Sequence, residues 1–176
     1  MIYFVRHGES EANERGVFAG QKENSPLNEK GREQARVTAK QIMSEGIKID
    51  KVISSPLKRA SETAEIITKE LGLDISKIVI DERVTEYDMG SLTGTPIHKI
   101  SSKELISAQN AEDTEAFRNR VYLAIKEFSK SPENVLLVSH AGVGRILETI
   151  KTDGDTKLFY DLPAYPNATV NKIDWI

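Results

Sequence analysis

Apolar positions in this chain follow two patterns that take turns along its length. Short unbroken runs rich in β-branched residues occur at 2–5 (IYFV), 52–53 (VI) and 135–138 (VLLV). Such runs fit strands buried on both faces of a parallel sheet. Between them, apolar residues recur at three- and four-residue spacing, as in amphipathic helices. One stripe is Ala35, Ala39, Ile42 and Met43; a second is Leu57, Ala60, Ala64, Ile67 and Leu71. Two more follow: Phe117, Val121, Ala124, Ile125 and Phe128, then Val143, Ile146, Leu147 and Ile150. The pattern predicts strands over 2–6, 51–54, within 77–83, over 134–139 and over 169–175. The first long helix starts near Asn28 and ends at Gly46. The next starts at Ser55-Pro56, with serine as cap and proline at the first helical position, and stops at Gly72.

From 86 to about 113 the periodicity fails and small and polar residues dominate. This stretch reads as a short lid, about 87–113, with one helix opened by a Ser101/Glu104 capping box. Strand–helix alternation around it makes the fold class α/β, a three-layer α/β/α sandwich around a mostly parallel sheet. At 176 residues the chain is long enough for one domain, 1–176, with a sizeable core.

Composition mainly excludes. A net charge of −3 gives no overall bias toward nucleic acid or anionic membrane, so an anion site must be local. Without cysteine there is no disulfide, thiolate nucleophile or thiolate-held metal. No apolar run approaches membrane-spanning length. The opening MIYFV lacks the basic flank and length of a signal peptide, so the cytoplasm is the expected compartment. Asn167-Ala168-Thr169 matches a glycosylation sequon, but without a secretory signal it reads as a turn.

Two of the three histidines follow strand runs and precede glycines: His7 in Arg6-His7-Gly8-Glu9, and His140 in Ser139-His140-Ala141-Gly142. Ligands of α/β sheets bind just beyond the strands' carboxyl ends, so both imidazoles point to one rim. Arg6 adjoins His7, and Arg59 falls in the first turn of a helix that begins at a strand end. A helix amino terminus and two guanidiniums suit phosphate oxygens. Each alone also fits a surface ion pair. His7 could be a core histidine, a metal ligand or a nucleophile. Metal is poorly supported, because no H-E-x-x-H pair exists and flanking arginine opposes a dication. A nucleophile among fixed cations makes sense against a phosphoryl group, with His140 donating to its oxygens. Gly8 and Gly142 would let backbone approach the anion. An alkoxide leaves poorly, so an acid is needed, and Glu86 at the start of the lid is the candidate.

These elements resemble the histidine phosphatase superfamily, the phosphoglycerate mutase-like group, over essentially the whole chain. The matching stretches are RHGES with Asn13 after it, SPLNEKGREQA, SSPLKRASETA, EYDMGSLTG from Glu86, SHAG and PNATV. The resemblance implies a phosphoglycerate mutase-like fold and transient phosphorylation of His7. It implies a phosphate pocket of Arg6, Arg59 and His140, with Glu86 protonating the leaving group and then activating water. Asn13 is implied as a further phosphate contact, and Gly20 and Ala141 complete the substrate-binding set. Ala19 precedes Gly20 where many relatives carry a hydroxyl, which leaves backbone amides there; Ala141 stands where glycine is common. Glu62, where many relatives carry glutamine, orients other groups; Ser55 reads as a cap and Thr63 as a packing residue.

The mutases of this family use a longer, basic lid, whereas this one offers only His98, Lys99 and Lys103. That favours hydrolysis, with a small phosphorylated substrate and inorganic phosphate as partners, no metal, no cofactor, no nucleic acid and no membrane. Phosphoglycerate mutase-type transfer and a phosphate-binding module without turnover are the alternatives. Gly142-Val143-Gly144 suggests a dinucleotide fingerprint, but Leu147 holds its third glycine position. Arg118 and Arg120 fit either salt bridges or contacts to the lid.

Overall fold

Successive residues of each long strand face opposite ways, and two separate cores result. A computed structural model describes residues 1–176, except the side chain of Lys99. Its elements are β1 (Ile2–Arg6), α1 (Glu11–Glu14), α2 (Glu29–Ser44), β2 (Lys51–Ser54), α3 (Lys58–Glu70), β3 (Val79–Ile80), α4 (Ser102–Ile106), α5 (Thr114–Phe128), β4 (Val135–Ser139), α6 (Ala141–Thr152) and β5 (Val170–Ile173). On one face Val5, Val52, Leu136 and Val138 pack with Ala35, Ala39 and Ile42 of α2 and Ala60, Ala64 and Ile67 of α3. On the other, Ile2, Phe4, Ile53, Val135 and Leu137 meet Phe117, Val121 and Ile125 of α5 and Val143, Ile146 and Leu147 of α6. The sheet runs β3-β2-β4-β1-β5; every pairing is parallel except β1–β5. This is the expected α/β/α sandwich with a mostly parallel sheet.

Several local expectations are corrected. Met43 is half exposed, and Thr38 takes the buried place on that stripe of α2. Leu71 and Ile150 lie at the edges of their cores, only partly buried. Helix α3 does not begin at Ser55-Pro56; its cap position is Leu57. The Ser55 hydroxyl instead accepts from Leu57 N, while Asn24 Oδ1, from a distant loop, accepts from Lys58 N. The third strand shrinks to two residues, because the Asp81 side chain accepts from Arg83 N and turns the chain into a 3-10 helix over Glu82–Val84. A further 3-10 helix, Thr156–Asp161, was not anticipated; it buries Phe159 against the second core.

The stretch expected to form a lid contains 3-10 turns at Gly90–Leu92 and Ile97–Lys99, then α4, whose Ser101/Glu104 capping box is present. Tyr87, Met89 and Leu105 of this stretch are buried in the same core as α5. Of the lid's expected cations, the Lys99 side chain lies outside the described residues. Among the described residues no helix is long and apolar enough to cross a membrane.

Candidate active site

Strand register brings the two histidines together. Arg6 pairs with Ser139 across β1 and β4, so the next residue on each strand emerges beside the other. His7 N donates to Ser139 O at 2.9 Å, and the two rings lie 5.2 Å apart, edge to face. Ser54 of β2 pairs with Val138, which puts the Ser55 hydroxyl 2.7 Å from His140 Nε2.

Hydrogen bonding assigns the proton of His7. His7 Nδ1 lies 2.7 Å from Gly8 O, which can only accept, so Nδ1 carries the hydrogen. Nε2 therefore presents its lone pair, and Arg59 Nε donates to it at 3.2 Å. Ser55 Oγ accepts from Leu57 N and also pairs with His140 Nε2, where either atom can supply the hydrogen. His140 Nδ1 and Arg6 Nε are the buried side-chain nitrogens with no protein partner among the described residues. Both histidines are held well below the usual histidine pKa, first by burial and then by the positive charge of Arg59. Each is thus a neutral imidazole at pH 7.

The arginines are anchored through backbone carbonyls. Arg59 is buried and donates to Gly20 O at 2.8 Å and Glu23 O at 3.1 Å. Burial pulls its pKa down to about 10, a shift that Glu86 opposes. Arg6 Nη1 donates to Tyr165 O, and burial lowers its pKa too. Both keep their charge at neutral pH. Asn13 forms a capping box with Ser10 that occupies its Oδ1 with Ser10 N and Oγ, leaving the amide NH2 for other acceptors.

Glu86 is buried, its Oε1 accepting from Tyr87 N at 2.8 Å and its Oε2 from Gly142 N at 3.2 Å. A Cβ at position 142 would stand 2.1 Å from Glu86 Oε1, so glycine is required by the carboxylate. Gly8 likewise serves close packing: a Cβ there would meet Gly31 O at 2.4 Å. Both glycines make room for protein, and Gly142 also lines the cavity beside them.

Arg6, His7, Asn13, Gly20, Arg59, Glu86 and Ala141 line one cavity of about 170 Å³. His140 lies behind this wall, fully buried. Glu62 stays outside, its carboxylate holding Arg32 Nε and Leu27 N. Arg118 pairs with the exposed Asp153. Arg120 clamps the chain before and at Glu86, donating to the carbonyls of Arg83, Thr85 and Glu86 while paired with Glu112.

Sequence reasoning missed several contributors. Arg145 of α6 lines the cavity and lies over the Tyr160 ring at 4.4 Å. Its spacing, one helical turn past Ala141, was the available signal. Thr63 is more than packing, since its hydroxyl accepts from Gly8 N. Gln21 Nε2 holds Glu86 O, and Asn167 Nδ2 holds His7 O at 2.8 Å. Asn167 lies in the PNATV stretch, where the turn reading hid its reach back to β1.

A family model described as the histidine phosphatase superfamily (branch 1) matches residues 2–176. The chain is 32% identical to "Probable phosphoglycerate mutase GpmB" of Enterobacter sp. (strain 638), over 99% of this chain and 84% of that one. It is 33% identical to "Putative phosphoserine phosphatase 2" of Hydrogenobacter thermophilus, over 80% and 73%. Among solved structures, Bacillus stearothermophilus YhfR superposes with a TM-score of 0.82 at 26% identity, over 96% of this chain and 88% of that one. A mycobacterial glucosyl-3-phosphoglycerate phosphatase shares the fold, with a TM-score of 0.78 at 22% identity over 96% and 90%.

Proposed function

The chain belongs to the histidine phosphatase superfamily, branch 1, and on that footing we propose that it hydrolyses small phosphomonoesters through a phosphohistidine at His7, without a metal. One observation carries the reading: a neutral imidazole whose Nδ1 hydrogen is committed to Gly8 O turns its Nε2 lone pair toward fixed guanidinium groups. In the first step Nε2 attacks phosphorus and the bond from phosphorus to the ester oxygen breaks. Glu86 gives its proton to that oxygen, and the alcohol leaves. Arg59 and Arg6, which line the cavity, donate to the equatorial phosphoryl oxygens, where charge builds. The Arg59 hydrogen bond to Nε2 passes to a phosphoryl oxygen as substrate enters. In the second step water attacks phosphorus, Glu86 takes the water's proton, and the P–N bond breaks to return the lone pair to Nε2. Inorganic phosphate is released.

Hydrolysis is favoured over phosphoryl return because the described lid residues at the cavity wall, Met89 and Ile97, are both apolar. The mutase-named relative keeps transfer as the second reading. Incubation with 3-phosphoglycerate separates them: free phosphate without isomer supports hydrolysis, and isomer without phosphate overturns it. With p-nitrophenyl phosphate, we expect turnover that survives chelator and an acid-labile phosphoryl label on the protein. His7→Ala should lose both by at least 10³-fold, the scale on which removing a nucleophile acts. A His7→Ala protein that still turns over, or is still labelled, overturns the mechanism.

A further inference from the structure

The stretch 25–35, SPLNEKGREQA, gives no residue to the cavity wall, yet the first turns of α2 within it lie against the chain that follows His7. Residues 7–9 fall between β1 and α1, where no ladder or helix holds their peptide groups. Side chains hold them instead, at both ends of two successive peptides. In the first, His7 O accepts from Asn167 Nδ2 at 2.8 Å and Gly8 N donates to Thr63 Oγ1 at 3.1 Å. In the second, Gly8 O accepts from His7 Nδ1 at 2.7 Å and Glu9 N donates to Gln34 Oε1 at 2.8 Å. This second peptide thus has the His7 ring on its oxygen and Gln34 on its hydrogen. Glycine makes that reach possible. A Cβ at Gly31 would stand 2.0 Å from Glu9 O, so α2 lies directly on this backbone, and Gln34 follows one turn later on the same face.

Holding this peptide matters because a neutral histidine has two tautomers, and only one leaves the Nε2 lone pair free to attack. If Gly8 O turns away from Nδ1, the ring hydrogen is free to move to Nε2, and the nucleophile is lost. The need grows during the reaction, on the phosphatase reading on which this inference rests. As the Nε2 lone pair enters the P–N bond, the ring keeps its Nδ1 hydrogen and becomes positive. The bond from Nδ1 to Gly8 O is then charge-assisted. An acceptor on Glu9 N polarises the same amide and strengthens its oxygen as an acceptor. We propose that Gln34 is a positioning residue for phosphoryl transfer: by holding Glu9 N it fixes Gly8 O on Nδ1, and so fixes Nε2 as the nucleophile. Gln34 lines no part of the cavity. Its contribution is larger in the transition state than in the bound ground state, so it shows in kcat rather than KM.

Nitrogen-15 NMR of the imidazole reads the tautomer, and hydrolysis of p-nitrophenyl phosphate reads kcat and KM. The resting wild type should show His7 with its hydrogen on Nδ1 alone. Gln34→Leu keeps the bulk and loses the acceptor. It should show mixed tautomers and a kcat lower by about tenfold, with little change in KM. Gln34→Asn keeps an amide one methylene short of Glu9 N and should behave like Gln34→Leu; it serves where the leucine variant does not fold. Gln34→Glu restores an acceptor at full length, and should keep the wild-type tautomer and most of kcat. A folded Gln34→Leu or Gln34→Asn with an unmixed tautomer or an unchanged kcat overturns the inference. So does a Gln34→Glu as impaired as Gln34→Leu. A wild type that releases no phosphate is a separate result: it overturns the phosphatase reading, while the tautomer comparison still decides the hold of Gln34 on the ring.

Discussion

At the scale of single residues, Glu86 is the group whose role depends most on its neighbours. Its two oxygens rest on the backbone amides of Tyr87 and Gly142, and it approaches α6 only because position 142 has no side chain. Two different substitutions should therefore produce one defect. Glu86→Gln removes the transferable proton, and Gly142→Ala pushes the carboxylate aside with a methyl group while improving helix propensity. Both should slow alkyl phosphates by about 10²–10⁴-fold, the usual contribution of a general acid, and slow p-nitrophenyl phosphate far less, because that leaving group needs little protonation. Rates on the two ester classes check this. Equal slowing of both would remove Glu86 from the acid role.

Secondary-structure elements act at the site mostly through carbonyls, which explains what the sequence hid. The four long helices, the runs of β1, β2 and β4 and the two histidines at strand ends could be read from the sequence, because burial on a sheet demands the apolar pattern, whereas the two residues of β3 are exposed. The start of α3 could not, since Asn24 caps it from 34 residues upstream. Nor could the clamps Arg120, Gln21 and Asn167, whose partners are backbone atoms that leave no mark on residue type. Arg120 is the strongest case: from α5 it gathers the carbonyls of Arg83, Thr85 and Glu86 and is balanced by Glu112. Arg120→Met should cost about 1–3 kcal/mol in denaturant unfolding by leaving those groups unsatisfied, and should lower kcat. Adding Glu112→Leu should restore much of the stability, by removing the stranded carboxylate, but not kcat. Recovery of both together would make Arg120 a stability element with no part in positioning Glu86.

For the molecule as a whole, a site built from neutral histidines inside the rim of a sheet sets the pH range of the fold. His7 and His140 are buried and held well below the ordinary value of 6.5, so the unfolded chain binds their protons first as pH falls. A folded-state pKa lowered in this way means stability is fully present above about 6.5 and is lost as pH falls below it, toward the folded values. Each group contributes at most about 1.4 kcal/mol per pH unit in that window, so the pair contributes up to about 2.7. Denaturant midpoints measured from pH 7.5 to 5 should fall below pH 6.5, ahead of the range where most carboxylates titrate. A His140→Gln variant, which can keep a bond to Ser55, should show a shallower fall over the same range. Stability that stays level from pH 7 to 5.5 in the wild type would mean that the histidines take up protons in the folded state. The neutral Nε2 on which phosphoryl attack depends would then be absent at mildly acidic pH, so the stability curve tests the chemistry as well as the fold.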